Sequence, residues 1–394
     1  MLLSLALVFI CGMALGGIFQ KLKLPNLLGM LLTGVLLGPF GLNLLDESIL
    51  NISADLRQIA LIIILTRAGL NLDIKELRKV GRPAILMCFI PALFEIAGMM
   101  LLAPRLLGIS LLEAAIMGTV VAAVSPAVIV PRMLKLMENG YGAKKSIPQM
   151  IMAGASVDDV FVIVLFTAFT ALAQGGSVSP ADFLAIPISI VLGLLGGAAT
   201  GFIMSLLFTK MHLRDSVKVV LILSVSFLLV TLEKSLAGVV GFSGLLAVMA
   251  LGVTLRQKKP EPSRRLSAKF SKLWVCAEVM LFVLVGATVN IQYALKAGGM
   301  AVLLIFGVLL FRTAGVFACL IKTKLNKHER IFAAFAYIPK ATVQAAIGGL
   351  PLAMGLACGD IVLTVAVLSI LITAPLGVLL IDETYQKLLT KDGG

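Results

Sequence analysis

Apolar stretches of membrane-spanning length recur from one end of this sequence to the other, and that repetition leaves few folds open. Thirteen can be placed, at roughly 2–19, 26–43, 57–73, 83–103, 111–134, 147–173, 182–208, 216–232, 238–255, 270–289, 299–321, 329–350 and 360–381. Each matches about 30 Å of hydrocarbon in helical conformation. Only 13% of residues are charged and 60% are hydrophobic, whereas a soluble domain carries about 25% charge. The chain therefore reads as an all-α polytopic membrane protein. Leu2–Phe19 reads as its first span rather than a cleaved leader, having no basic stretch before it.

A net charge of +13 invites a nucleic-acid reading, which the charge distribution removes. Counted over alternate loops, one side of the predicted bundle collects 26 of the 33 Lys and Arg residues: Lys21, Lys23, and those within 75–82, 132–145, 210–218, 256–272, 322–330 and the C-terminal tail. The other side holds only Arg57, Arg105, Lys234 and Lys296. By the positive-inside rule the N-terminus is outside and the C-terminus cytoplasmic, in a cell (inner) membrane, and the bilayer rather than nucleic acid is the partner. The five cysteines, at 11, 88, 276, 319 and 358, are scattered without metal-ligand or disulfide spacing. His212 and His328 fall in polar loops and read as solvated. With no phosphate-binding loop or nucleophile triad, an enzyme is not expected, nor a cofactor.

An internal repeat appears at an offset of 217 residues. Gly69, Ile74, Lys79 and Gly81 align with Gly286, Ile291, Lys296 and Gly298, and Leu93-Phe-Glu-Ile-Ala-Gly98 aligns with Leu310-Phe-Arg-Thr-Ala-Gly315. With a shift of four, Pro126 and Val130 match Pro339 and Val343. The repeat pairs spans 1–6 with 8–13 and leaves 182–208 as a linker. Seven spans separate partners, so the copies are inverted, as in secondary transporters. Pro126 in Ala123-Val-Ser-Pro-Ala127 and Pro339 in Tyr337-Ile-Pro-Lys-Ala-Thr342 interrupt repeat-related helices, which are expected to cross near the midplane.

Charges inside spans are costly and mark function. The acids are Glu95, Asp158, Asp159 and Glu278; the bases are Arg67, Arg312 and Lys340. Glu95 and Arg312 occupy equivalent repeat positions and are expected to form an ion pair, structural or titrating. Residues adjacent on a helix point about 100° apart, so Asp158 is assigned to Lys340 and Asp159 to an ion cavity. Glu278 either pairs with Arg67 or snorkels toward the cytoplasmic face. Asp159 is then the carboxylate left for a mobile cation such as Na⁺, with Ser125, Ser156 or freed carbonyls as further ligands. Desolvation and a neighbouring like charge favour a neutral carboxyl group, so proton and cation compete there, giving obligatory exchange. Rival readings are a K⁺/H⁺ antiporter of the same fold, an organic-anion symporter and a cation channel. Four acids against three bases disfavour the symporter, and acids enclosed in one bundle disfavour the channel. Small-residue spacing at Gly12 and Gly16, and at Gly193, Gly197 and Gly201, indicates close helix packing.

The double aspartate in Gly154–Leu165, the run Tyr337-Ile-Pro-Lys-Ala-Thr-Val-Gln-Ala-Ala346 and Thr66-Arg-Ala-Gly-Leu-Asn-Leu-Asp73 resemble the monovalent cation:proton antiporter superfamily, in particular the NHA-type (solute carrier family 9B) sodium/proton antiporters. The resemblance implies an NhaA-like antiporter fold of 13 helices in two inverted six-helix repeats with crossed broken helices. It implies a homodimer whose scaffold helices lie at about 1–73 and 216–289. A core at about 83–173 and 299–381 would move as an elevator. It also implies Na⁺ or Li⁺ exchanged for H⁺ at Asp159, partnered by Asp158 and Lys340, with Glu95–Arg312 as the core salt bridge. Relatives with the two aspartates and a lysine are often electrogenic, those with the Glu–Arg pair electroneutral, and this sequence combines both sets.

Overall fold

A computed structural model describes residues 1–72, 81–174, 180–211, 213–236 and 241–391. The expected repeat positions Ile74 and Lys79, the basic residues Lys75 and Arg78, and His212 lie outside the described residues. The helices are α1 (Leu2–Lys21), α2 (Asn26–Leu37), α3 (Glu47–Asn51), α4 (Ser53–Asn71), α5 (Arg82–Met87), α6 (Ile90–Leu107), α7 (Leu111–Ala122), α8 (Pro126–Glu138) and α9 (Ile147–Gln174). They continue as α10 (Pro180–Lys210), α11 (Asp215–Leu236), α12 (Gly244–Lys258), α13 (Pro260–Ala287), α14 (Ile291–Cys319), α15 (Lys327–Ala336), α16 (Thr342–Ile347), α17 (Leu350–Ala353) and α18 (Gly359–Leu388).

Nine helical segments among the described residues are long and apolar enough to cross a membrane. The other four predicted spans take different forms. The run 26–43 is helical only as far as Leu37, because Gly38-Pro39 follows and proline cannot extend a helix backwards. The run 57–73 falls on α4, whose 19 residues include Asp55, Arg57 and Arg67. The run 238–255 gives the 15-residue α12, and 329–350 is split between α15 and α16.

The described chain forms two compact units. The larger comprises Met1–Ala54, Lys75–Val162 and Val279–Gly394. Local chemistry fixes its helix ends. Ser110 and Glu113 make a capping box at the start of α7, and Asn326 and Glu329 make another at the start of α15, satisfying amide groups a helix leaves bare. Pro126 opens α8, where its missing N–H needs no partner. In the same unit α2 crosses the end of α13 in backbone contact: a Cβ at Gly34 would fall on the Val283 carbonyl, and one at Gly286 on that of Leu31. Gly12 and Gly16 of α1 face Val279 and Met30 within the chain. Helices α6 and α14 meet reciprocally. Gly98 receives the Phe311 ring, while Gly315 receives Pro91 and Phe94.

The smaller unit comprises Asp55–Ile74 and Ile163–Glu278. Gly193, Gly197 and Gly201, one turn apart on α10, lie against Ser243, Ala247 and Leu251 at the start and along the length of α12. The spacing read as close packing is used for that here. Asn71 accepts a hydrogen bond from Ser267 at 2.6 Å, and Arg67 and Glu278 interact electrostatically.

Candidate functional site

The site grows from two helix interruptions in the larger unit. After Ala122 the chain turns extended, with Ala123 at φ −71°, ψ 141° and Ser125 at φ −90°, ψ 108°, before Pro126 restarts the helix. The second interruption runs from Tyr337 to Ala341. The two touch. The Ser125 N–H donates to the Pro339 carbonyl at 2.9 Å, and the Ser125 and Thr342 hydroxyls stand 3.5 Å apart. A third helix holds the second break from behind: Lys340 N–H donates to the Thr373 hydroxyl of α18 at 3.0 Å.

An interrupted helix strands its last carbonyls, and in a membrane each must find a partner inside the protein. Three successive carbonyls at the end of α7 do so through side chains from beyond residue 300. Val121 accepts from Lys340 Nζ at 2.7 Å and Gln344 Nε2 at 3.1 Å, Ala122 from Arg312 Nη1, and Ala123 from Gln344 Nε2 at 2.9 Å. Arg312 Nε also donates to the Tyr337 carbonyl at 2.7 Å, with its guanidinium 5.4 Å from the Tyr337 ring centroid. Gly154 of α9 leaves room for the Tyr337 hydroxyl.

Four charged residues, each no more than 1% exposed, are linked in series around these carbonyls. Lys340 Nζ lies 2.7 and 2.8 Å from the two carboxylate oxygens of Glu95. Glu95 Oε2 is 2.8 Å from Arg312 Nη1, and Arg312 Nη2 is 2.8 Å from Asp158 Oδ2. The Val124 N–H completes Asp158 Oδ2 at 2.9 Å. The expected Glu95–Arg312 contact is therefore present, but the expected Asp158–Lys340 pairing is not: the partner of Lys340 is Glu95, and that of Asp158 is Arg312. The physical reason is the guanidinium fork. Its several N–H groups bridge two carboxylates at once, and Arg312 takes Asp158 Oδ2 while the Lys340 ammonium is held by Glu95 and Val121.

Two acids and two bases make this chain of contacts neutral when all are ionised. Asp159 stands apart from it. No hydrogen bond or ion pair to its carboxylate occurs among the described residues, and its Oδ1 is buried without a partner. Ser125 lies at the crossing and is 1% exposed, while the side chain of Ser156 lies outside the described residues. Pro126 and Pro339 sit at the breaks. The sequence reading did not single out Gln344, Thr342, Thr373 or the Val124 amide. Gln344 and Thr342 carried a signal, as polar residues within an apolar run beside a proline.

A multi-helix membrane protein in which two interrupted helices meet around buried carboxylates and cations is, by class, a transporter rather than an enzyme. The chain belongs to the sodium/hydrogen exchanger family, whose transmembrane model matches residues 5–384. It is 34% identical over 413 residues to sodium/hydrogen exchanger 9B2 of Mus musculus, covering 99% of this chain and 74% of that protein. It is 32% identical over 417 residues to sodium/hydrogen exchanger 9B1 of Homo sapiens, covering 99% and 78%. Among solved structures, the sodium proton antiporter MjNhaP1 from Methanocaldococcus jannaschii at pH 8 superposes with a TM-score of 0.83 at 21% identity, covering 98% of this chain and 97% of that one.

Proposed function

We propose that this protein exchanges Na⁺ or Li⁺ for H⁺ across a cell membrane, with cation and proton competing for Asp159. The observation carrying this reading is the segregation of charge. Lys340, Glu95, Arg312 and Asp158 neutralise one another, while Asp159, next to Asp158, has no ion-pair partner among the described residues. A carboxylate left over in a buried neutral setting accepts either a cation or a proton, and occupancy by one excludes the other. Ser125, Ser156 and Asp158 are the further candidate oxygen ligands, and no cofactor is required.

In this reading the chain has 13 spans in two inverted repeats, with the N-terminus outside and the C-terminus cytoplasmic. The 217-residue separation of Glu95 from Arg312, together with the reciprocal seating of Phe94 and Phe311, supports a two-fold relation between the halves. A homodimer would form through scaffold helices at about 1–73 and 216–289. The core at about 83–173 and 299–381 would travel as an elevator. This grouping cuts across the two compact units, which place Met1–Ala54 with the core segments.

The test is proton release from acid-loaded proteoliposomes on adding Na⁺, Li⁺ or K⁺. Na⁺ and Li⁺ are expected to dissipate the gradient, and Asp159→Asn to abolish the response in a folded protein. Dissipation by K⁺ alone would move the assignment to a K⁺/H⁺ antiporter. Full exchange by folded Asp159→Asn removes Asp159 as the carrier.

A further inference from the structure

Two of the three side chains that take up the stranded α7 carbonyls are ionised and also belong to the charge chain. Lys340 divides its ammonium between Glu95 and Val121, and Arg312 divides its guanidinium among Glu95, Asp158, Ala122 and Tyr337. The third is neutral. Gln344 on α16 is 1% exposed and donates to both Val121 and Ala123. Its orientation is decided by those two acceptors, because the flipped amide would set its oxygen against two carbonyl oxygens. Its Oε1 is left buried without a partner among the described residues. A methionine of similar shape would avoid that buried orphan oxygen but would leave Ala123 without this donor, so the amide is placed for its hydrogens.

We propose that Gln344 is a positioning residue for the ion site: a clasp, independent of charge, that fixes the end of α7 and the extended residues after it to α16 whatever the ionisation or pairing of Lys340, Glu95, Arg312 and Asp158. The segment it fixes bears directly on Asp158. One residue beyond Ala123, the Val124 N–H donates to Asp158, and one further on Ser125 bonds to Pro339 and faces Thr342. An amide titrates at no physiological pH, so the clasp holds through a cycle of proton uptake and release that would loosen a lysine or carboxylate in its place. Without it, Val121 keeps Lys340, Ala123 loses the donor that Gln344 supplies, and the backbone presenting Val124 and Ser125 can shift.

The proposal rests on the exchange reading above, so the experiment separates the two. Wild-type proteoliposomes first establish Na⁺-driven proton release; its absence would fail that reading and not this one. Gln344→Met and Gln344→Glu are then compared with wild type. Gln344→Met is expected to raise the apparent KM for Na⁺ about tenfold, the scale of one or two lost hydrogen bonds, with a much smaller change in maximal rate. Gln344→Glu keeps the shape but donates only while its carboxyl is protonated. Its activity relative to wild type should therefore fall progressively as pH rises, and a role confined to packing would not produce that. Should Gln344→Met fail to fold, the pH comparison with Gln344→Glu still decides. Wild-type KM in folded Gln344→Met, or a constant Gln344→Glu to wild-type ratio across pH, overturns the proposal.

Discussion

Glu95→Gln removes one negative charge and almost no volume from a fully buried position. Its consequences can be worked out from the contacts. In the wild type, two bases and two acids balance along Lys340–Glu95–Arg312–Asp158. The substitution leaves Lys340 and Arg312 facing Asp158 alone, a buried surplus of one positive charge. Breaking a buried pair by removing one partner costs about 3–5 kcal/mol, and Glu95 serves two cations, which places the loss near the upper end. Unfolding entropy of about 2.1 cal/mol/K per residue gives roughly 0.8 kcal/mol/K for a chain of this length, so Tm should drop on the order of 5 °C. Adding Lys340→Met restores neutrality and leaves the Arg312–Asp158 pair intact, while Gln344 still serves the Val121 carbonyl. The double variant should therefore be more stable than the sum of the single losses by about 2 kcal/mol or more. Thermal unfolding of the four purified proteins in detergent measures the cycle. Strict additivity, or Glu95→Gln within 1 °C of wild type, would refute the connectivity described. A parallel cycle on Asp158→Asn and Lys340→Met should show less than half that coupling, since those side chains do not pair.

Two further outcomes follow from packing and capping. Gly34→Ala and Gly286→Ala each drive a methyl group into a carbonyl of the facing helix and should cost about 1–3 kcal/mol. By contrast Gly17→Ala, with open space around its Cβ, should gain up to about 1 kcal/mol, read by the same unfolding assay. Glu329, fully buried, receives Lys145 at 2.8 Å and caps Asn326 N–H at 2.8 Å. Glu329→Gln keeps the cap and frees Lys145 toward solvent, so it should cost about 1–2 kcal/mol. Glu329→Ala, which also loses the cap, should cost about 1 kcal/mol more.

Much of this site is written in local sequence. Pro126 and Pro339 mark both interruptions because each removes a helical N–H and crowds the preceding turn, although Pro104, Pro131 and Pro375 are accommodated inside helices. Glu95 and Arg312 are paired by the repeat register, which is arithmetic on the sequence. Asp158 and Asp159 are separated by helical geometry alone. What the sequence withholds is the number of partners each charge takes. Treating Glu95–Arg312 as a closed pair hides the second arm of the guanidinium, and that error hands Lys340 to the wrong acid. The Asn326–Glu329 cap is legible in the capping-box spacing of Asn326-Lys-His-Glu329, whereas nothing local announces the Lys145 that joins Glu329 from 184 residues away. The span at 26–43 outruns its helix, because the apolar run continues through the turn at Gly38-Pro39, where the helix cannot.

Three bonds at the crossing are donated by main-chain N–H groups: Val124 to Asp158, Ser125 to Pro339, and Lys340 to Thr373. No side-chain replacement at the donor positions deletes them, proline excepted. Residue 124, fully buried, is thus free to drift among apolar residues of similar volume, while the acceptors Asp158 and Thr373 are held by their oxygens. A saturation scan of this region should show that asymmetry, with apolar replacements tolerated at 124 beside intolerance at 158 and 373. Relatives that differ around the breaks can then keep the same knot of backbone.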